Sequence, residues 1–255
     1  MILVFDIGNT NITLGGYEKD KLVFSSRLKT DHAKTSDQYA VEIKCLLDLN
    51  SFDCKSIEGA IVGSVVPKVA KAIKDGLERY FNIEVLKVGP GVKTGLNIKI
   101  DNPAQLGADL VCGAVGAIEK YKAPIVIFDL GTAITASVID DKGAFLGGTI
   151  SAGLNMSLDS LAKNTASLPH IALDDVESVI GKNTVDSMRA GLVIGTAAML
   201  DGIKQRVENE LKQAVTVVAT GGNARYVIKN CKEEIIYDEN LLLDGLKIIF
   251  DKNKK

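Results

Sequence analysis

The sequence predicts an α/β chain built from two copies of one β-β-β-α-β-α unit, and three observations carry that reading. The segment ILVFDIGNTNITLGGYEKDKLVFSS at residues 2–26 is echoed by IVIFDLGTAITASVIDDKGAFLGGT at 125–149. In each, an apolar run ends in Phe-Asp-apolar-Gly, and the two aspartates, Asp6 and Asp129, stand 123 residues apart (129 − 6), about half the chain. Each block then passes through a second alternating run, an Asp/Lys-rich turn and a third run. That is the pattern of three strands joined by tight turns.

The remaining elements follow in order. Asp20-Lys21 and Asp141-Lys142-Gly143 supply the hairpin turns. Residues 35–49 (TSDQYAVEIKCLLDL) carry apolar positions at helical spacing behind Thr35 or Ser36 as N-cap. GAIVGSVVPK at 59–68 reads as a buried strand entering a loop, with Pro67 opening a helix. In the second half a helix over about 184–212 precedes VTVVATGGNARYV at 215–227, again strand, Gly loop, helix.

Two segments stand outside the echo. Residues 102–121 predict a helix with Asn102 as N-cap, Pro103 at its first position and Gln105 three residues on, which places Asp109 about two turns in. Residues 152–183, with TASLP at 165–169, show weak periodicity and read as an inserted lobe. The expected division is therefore an N-terminal half, 1–117, and a C-terminal half, 118–255, that carries the lobe. Only the tail KNKK after Asp251 reads as frayed. Duplicated ribonuclease H-like halves facing each other across a nucleotide cleft describe the actin-like ATPase and kinase fold, a step made by analogy.

Composition excludes several function classes. Hydrophobic residues at 46% and charged residues at 24% suit a packed core. A net charge of −2 gives no support to nucleic-acid or membrane-surface binding. Cys45, Cys54, Cys112 and Cys231 form no CxxC pair, and His32 and His170 are the only histidines, so no zinc cluster is recognisable. Both histidines read as ordinary surface residues. Unpatterned thiols fit a reducing compartment. Met1 to Phe5 is too short for a signal segment, and no run approaches the roughly 18 apolar residues of a membrane span. A cytoplasmic protein is expected.

The chemistry-bearing residues lie at the two Asp-x-Gly turns. In Asp6-Ile7-Gly8-Asn9-Thr10-Asn11 a carboxylate at a strand end stands beside exposed backbone N–H groups. Glycine allows close approach of phosphate oxygens, and Asn and Thr add neutral donors. A hairpin turn uses the same residue types. Asp129-Leu130-Gly131-Thr132 repeats the feature at the equivalent place, and TGGNA at 220–224 is a third Gly loop after a buried strand, suited to adenine or ribose. Its alternative is a strand-to-helix connection that needs glycine for tight packing. Agreement among these local signals favours nucleotide binding over bare turns.

The blocks DIGNT, Val65-Val66-Pro67, VKTGLNIKIDNPAQLGAD (92–109), DLGTA (129–133), TASLP and GKNTVDSMRAGLVIG (181–195) fall in order across residues 2–224. Together they resemble the signature blocks of type III pantothenate kinases. The resemblance implies a homodimeric enzyme that transfers phosphate from ATP to the primary hydroxyl of pantothenate, toward coenzyme A. It implies a divalent ion such as Mg²⁺ and a monovalent cation, K⁺ or NH₄⁺. Carried over by position, Asp6, Ile7, Gly8, Asn9, Thr10, Asn11, Ile12 and Thr13 would hold the ATP phosphates and, through Asp6, the magnesium. Thr132 would also contact ATP, and Asp129 would ligate the monovalent cation. Ile100, Gly107, Ala108, Asp109 and Leu110 would lie against pantothenate, with Asp109 as proton acceptor. Thr184 would bond the substrate near the partner subunit, although its local sequence taken alone reads rather as a plain helix N-cap.

Two positions depart from the family's pattern. The family continues Gly-Ala-Asp-Arg where this chain has Leu110, and Ile100 stands where many members carry an aromatic residue. Arginine can hold an anionic acceptor by charge-assisted hydrogen bonds, and leucine cannot. The alternatives are a diverged paralogue acting on another small hydroxylated acceptor, or a non-enzymatic nucleotide-binding regulatory protein. Asp109 and Asp129 together favour an enzyme.

Overall fold

Apolar runs that bury both faces belong at the centre of a sheet, and the two echoed runs are placed there. A computed structural model describes residues 1–254. The chain opens with β1 (Ile2–Ile7), β2 (Asn11–Glu18) and β3 (Lys21–Lys29), followed by α1 (Ser36–Leu49) and β4 (Gly59–Ser64). Next come α2 (Pro67–Phe81), β5 (Val85–Lys87), β6 (Asn97–Ile98) and α3 (Ala108–Lys120). The second copy is β7 (Ile125–Leu130), β8 (Ala133–Ile139), β9 (Ala144–Ala152), α4 (Leu154–Asn164) and α5 (Thr184–Leu211). It continues through β10 (Thr216–Thr220), α6 (Ala224–Val227) and β11 (Ile236–Tyr237), before α7 (Leu241–Asn253) closes the chain.

Two compact units result. One holds Met1–Leu96, Asp101–Glu119 and Leu241–Lys255; the other holds Asn97–Ile100 and Lys120–Asn240. The first has a sheet of order β3-β2-β1-β4-β5, and the second β11-β10-β7-β8-β9-β6. In each, the first strand pairs antiparallel with its hairpin partner and parallel with the strand that follows the helix: β1 with β4, β7 with β10. Strands β1 and β7 keep the 123-residue offset at both ends (125 − 2 and 130 − 7). This is the duplicated architecture that the echo predicts.

In the first unit, Leu3, Phe5 and Ile7 of β1 pack with Ile12 and Leu14 against Tyr39, Ile43 and Leu47 of α1 and Ile73 and Leu77 of α2. Thr35 caps α1 by a full capping box with Gln38, an arrangement in which the cap alone contributes about 1 kcal/mol. Pro67 is the first residue of α2. In the second unit, Val126, Phe128 and Leu130 pack with Val193, Ala197 and Leu200 of α5.

The structure corrects three expectations about boundaries. Helix α7 falls in the second half by sequence but belongs to the first unit, because its buried Leu243 and Leu246 pack over Gly15 and Gly63 of that unit's sheet. Its Gly245 lies directly on the Cys112 carbonyl of α3, where a Cβ would not fit. The tail is helical as far as Asn253, whose side chain bonds the backbone of Lys93 at 3.0 and 2.9 Å; Lys255 lies outside the described residues. Residues 152–183 split between the end of β9, helix α4 and a stretch over 165–183 without regular structure.

Candidate functional site

The turn after β1 is built by strand pairing. Asp6, half-buried, sits between Thr13 of β2 and Gly63 of β4. The Gly8 N–H donates to the Asn11 carbonyl at 2.9 Å, which closes the turn and leaves Asn9, Thr10 and Asn11 exposed. Ile7 and Ile12 have their side chains in the core, so they offer the turn only backbone groups. The Val65 N–H donates to the Ile7 carbonyl at 3.1 Å and carries the pairing one step past β4.

Asp109 is not two turns into a helix. Residues Pro103–Gln105 form a short 3₁₀ turn, the Asn102 side chain makes no cap, and α3 begins at Ala108. Asp109 therefore occupies the first turn of α3, where the helix dipole favours a carboxylate. Its Oδ1 accepts the Leu110 N–H at 2.9 Å and folds back over Gly107 so closely that a Cβ there would collide with it. A side chain at position 107 would have to displace the carboxylate from this place. Burial is the main influence on Asp109 and raises its pKa, against the lowering effect of the Leu110 and Asp109 N–H groups. A solvated helix carboxylate would show no such burial.

One turn along α3, Cys112 is fully buried, and its thiol is pushed well up by burial and then by the Asp6 and Asp109 carboxylates. A Cβ on Gly63, the register partner of Asp6, would lie 3.3 Å from the Cys112 sulfur. Asp6 and Asp109 thus influence the same neutral, buried thiol within one unit.

The turn after β7 repeats the plan. Asp129 is half-buried between Thr135 of β8 and Thr220 of β10, and the Gly131 N–H donates to the Ala133 carbonyl at 3.0 Å. Thr132 is exposed, and its carbonyl accepts the Gly153 N–H at 3.1 Å. The third Gly loop folds onto this turn: Gly221, at φ +89°, would place a Cβ 2.6 Å from Asp129 Oδ1, and the Asn223 N–H donates to the Leu130 carbonyl at 3.2 Å. Tight packing therefore accounts for Gly221.

Two residues that the family resemblance assigns to the acceptor belong to the second unit. Ile100 is half-buried beside β6 in the second unit. Thr184 is exposed at the first position of α5, and Asn183, whose side chain accepts the Asp186 N–H at 2.9 Å, is the N-cap. Gly107, Ala108, Asp109 and Leu110 fall together in the first unit with Asp6–Thr13.

Sequence reasoning missed Thr30 and Gly153, which bond the first and second turns respectively. They are themselves 123 residues apart (153 − 30), the offset of the two aspartates, but as a threonine and a glycine they leave no shared motif in the sequence.

Two equivalent Asp-x-Gly turns, each on the first strand of a duplicated three-strand unit, define the class: the actin-like ATPase and sugar-kinase fold. A solved structure with that likeness is component A of (R)-2-hydroxyglutaryl-CoA dehydratase from Acidaminococcus fermentans, at TM-score 0.56 and 14% identity over 99% of both chains. The family is closer than the fold. The chain belongs to the type III pantothenate kinases, whose family profile matches residues 2–206. It is 44% identical to the type III pantothenate kinase of an Exiguobacterium strain over the full length of both. It is 42% identical to that of Bacillus cytotoxicus, over 99% of this chain and 97% of the relative.

Proposed function

We propose that this chain transfers the γ-phosphate of ATP to the primary hydroxyl of pantothenate, with Asp109 as the base that accepts the hydroxyl proton. The observation that carries the reading is the half-buried Asp109 carboxylate, held at the start of α3 beside the buried thiol that also senses Asp6. A carboxylate raised toward the operating pH transfers protons better than an ordinary solvated one, and such a base contributes about 10²–10⁴-fold.

The turn formed by Asp6, Ile7, Gly8, Asn9, Thr10, Asn11, Ile12 and Thr13 holds the ATP phosphates, and Thr132 also contacts ATP. Phosphoryl transfer needs positioning and charge neutralisation above all. Among the described residues no three His, Cys, Asp or Glu side chains gather into a metal cage. This suits Mg²⁺, which binds by one or two carboxylates together with substrate phosphates; Asp6 is that carboxylate. When bound, the ion neutralises phosphate charge.

Asp129, packed against the Gly221 backbone, holds the monovalent cation, K⁺ or NH₄⁺. Gly107 and Ala108 lie against the acceptor, with Leu110 and Ile100 lending apolar contact and Thr184 a hydrogen bond. Leu110 leaves the pantothenate carboxylate to another cation or to water. The family resemblance supports a homodimer. No helix among the described residues is long and apolar enough to cross a membrane; a cytoplasmic location is part of this proposal.

The test is an ATP-consumption assay with and without pantothenate, with phosphopantothenate identified by mass spectrometry. Pantothenate-dependent turnover with that product is expected. ATP hydrolysis indifferent to pantothenate, or no turnover, overturns the reading.

A further inference from the structure

We infer that Thr30 is a positioning residue that clamps the Gly8–Thr10 turn in its nucleotide-binding shape. The inference rests on the reading of Asp6–Thr13 as the phosphate site. Thr30 is the first residue after β3 and is only 6% exposed. Its hydroxyl donates to the Gly8 carbonyl at 2.7 Å, and its backbone N–H donates to the Thr10 carbonyl at 3.0 Å. One residue thus takes up a carbonyl near each end of the turn.

The consequence follows from the planar peptide. In a trans peptide the C=O and the next N–H point in opposite directions. Drawing the Gly8 carbonyl toward Thr30 turns the Asn9 N–H away from it, and drawing in the Thr10 carbonyl does the same for the Asn11 N–H. Carbonyl oxygens facing a phosphate would repel it, whereas N–H groups attract it. Thr30 therefore sorts the turn's dipoles. The backbone bond survives any substitution except proline, so the hydroxyl is the part that side-chain chemistry can remove.

The sequence position agrees. Gly153, the residue 123 places on, also donates its N–H to the second turn, at the Thr132 carbonyl, but it has no side chain to add a second bond. The side-chain clamp therefore belongs to the first turn of the pair.

Thr30→Val keeps the shape and deletes the hydroxyl, while Thr30→Ser keeps the hydroxyl. Steady-state kinetics are measured with ATP and pantothenate varied in turn, alongside melting temperatures and an Asp6→Asn control. Thr30→Val is expected to raise KM for ATP about tenfold, the effect of one lost hydrogen bond at a buried group, with KM for pantothenate within about twofold of wild type. Thr30→Ser should restore KM for ATP to within about threefold. If Thr30→Val fails to fold, Thr30→Cys, with its weak S–H donor, takes its place and should show an intermediate KM. A wild-type KM for ATP in the hydroxyl-free variant, equal damage to both substrates, or a serine variant as poor as valine overturns the clamp while Asp6→Asn remains impaired. Full activity in Asp6→Asn instead removes the phosphate-site reading itself.

Discussion

The turns after β1 and β7 begin from the same strand pairing and are finished differently. In the first, Asp6 stands in the unit that also carries Asp109, and a threonine side chain bonds the turn from behind. In the second, Asp129 is pressed against the backbone of another glycine loop, and a glycine closes the turn. Duplication supplied one scaffold; the residues packed behind each turn separate their chemistry. On the proposed reading the first turn is the phosphate cradle, in the unit that carries the base, and the second is the ion site.

The largest expected effect tests that separation at Asp109. Asp109→Asn should lower kcat by about 10²–10⁴ while sparing KM for ATP. Because burial raises the Asp109 pKa, the wild-type kcat should fall on the acid side with an apparent pKa above the ordinary aspartate value of about 3.9. The same shift has a stability sign. Below about pH 3.9 the carboxyl is protonated folded or unfolded and burial costs little; as pH rises through the folded pKa, the buried charge forms and stability is lost. Asp109→Asn should therefore melt no lower than wild type at neutral pH, and higher if the charge is costly. A variant that is both inactive and destabilised would make Asp109 a structural group.

Next is the ion. If the second turn holds K⁺ or NH₄⁺ at Asp129, replacing both by Na⁺ should depress wild-type activity. Losing a charge-assisted contact corresponds to about 10–100-fold. Asp129→Ala should remove the dependence on the monovalent ion. Wild-type activity indifferent to the ion leaves the second turn as a nucleotide contact only.

How much of this comparison was legible in the sequence depends on the range of the signals. The strands, the Thr35 cap and the Pro67 helix start were readable because periodicity, capping and proline chemistry are local. The Asn102-Pro103 start misled for the same reason: the local pattern is real but yields a 3₁₀ turn, and α3 begins only at Ala108. Helix α7 carries no mark of its destination, since an apolar face says only that it packs, not on which sheet. Asp6, Asp129 and Asp109 are candidates proposed from motifs and resemblance. Thr30, a buried polar residue at a strand end, had no motif of its own and needed the three-dimensional bond to the turn.

A smaller effect probes how the second turn is closed. A Cβ on Gly153 would stand 2.6 Å from the Gly131 carbonyl oxygen and closer still to that of Thr132. Gly153→Ala should cost about 1–3 kcal/mol, the range for overpacking, and lower Tm by several degrees. At position 30 a side chain is already accommodated, so Thr30→Ala should not show this overpacking loss. Equal Tm in Gly153→Ala and wild type would mean that β9 can shift away from the turn, and the two closures would then differ less than the geometry implies.

The smallest effect in stability separates packing from ligand approach at the turn glycines. A Cβ on Gly8 would meet the Asn11 carbonyl at 3.3 Å, slightly tight, whereas one on Gly131 finds its nearest neighbour at 3.5 Å, ordinary contact. Neither glycine is among the residues with positive φ, so alanine is compatible with both backbones. Gly131→Ala should leave Tm unchanged within about 1 °C, and Gly8→Ala should lower it by no more than about 2–4 °C, the shift for 1 kcal/mol in a chain of this size. If phosphate oxygens approach these backbones, each added methyl blocks them, and KM for ATP should rise about 5–10-fold although the fold is intact; a loss of about 1 kcal/mol in binding corresponds to about fivefold. The pair is informative because the two causes point in opposite directions: packing strain is greater at Gly8, while unchanged melting at Gly131 isolates the ligand. A raised KM at both positions assigns both turns to the nucleotide. A raised KM at Gly8 alone confines the phosphates to the first turn and leaves the second to the ion. Wild-type KM at both would mean that these glycines serve the hairpins and not the nucleotide.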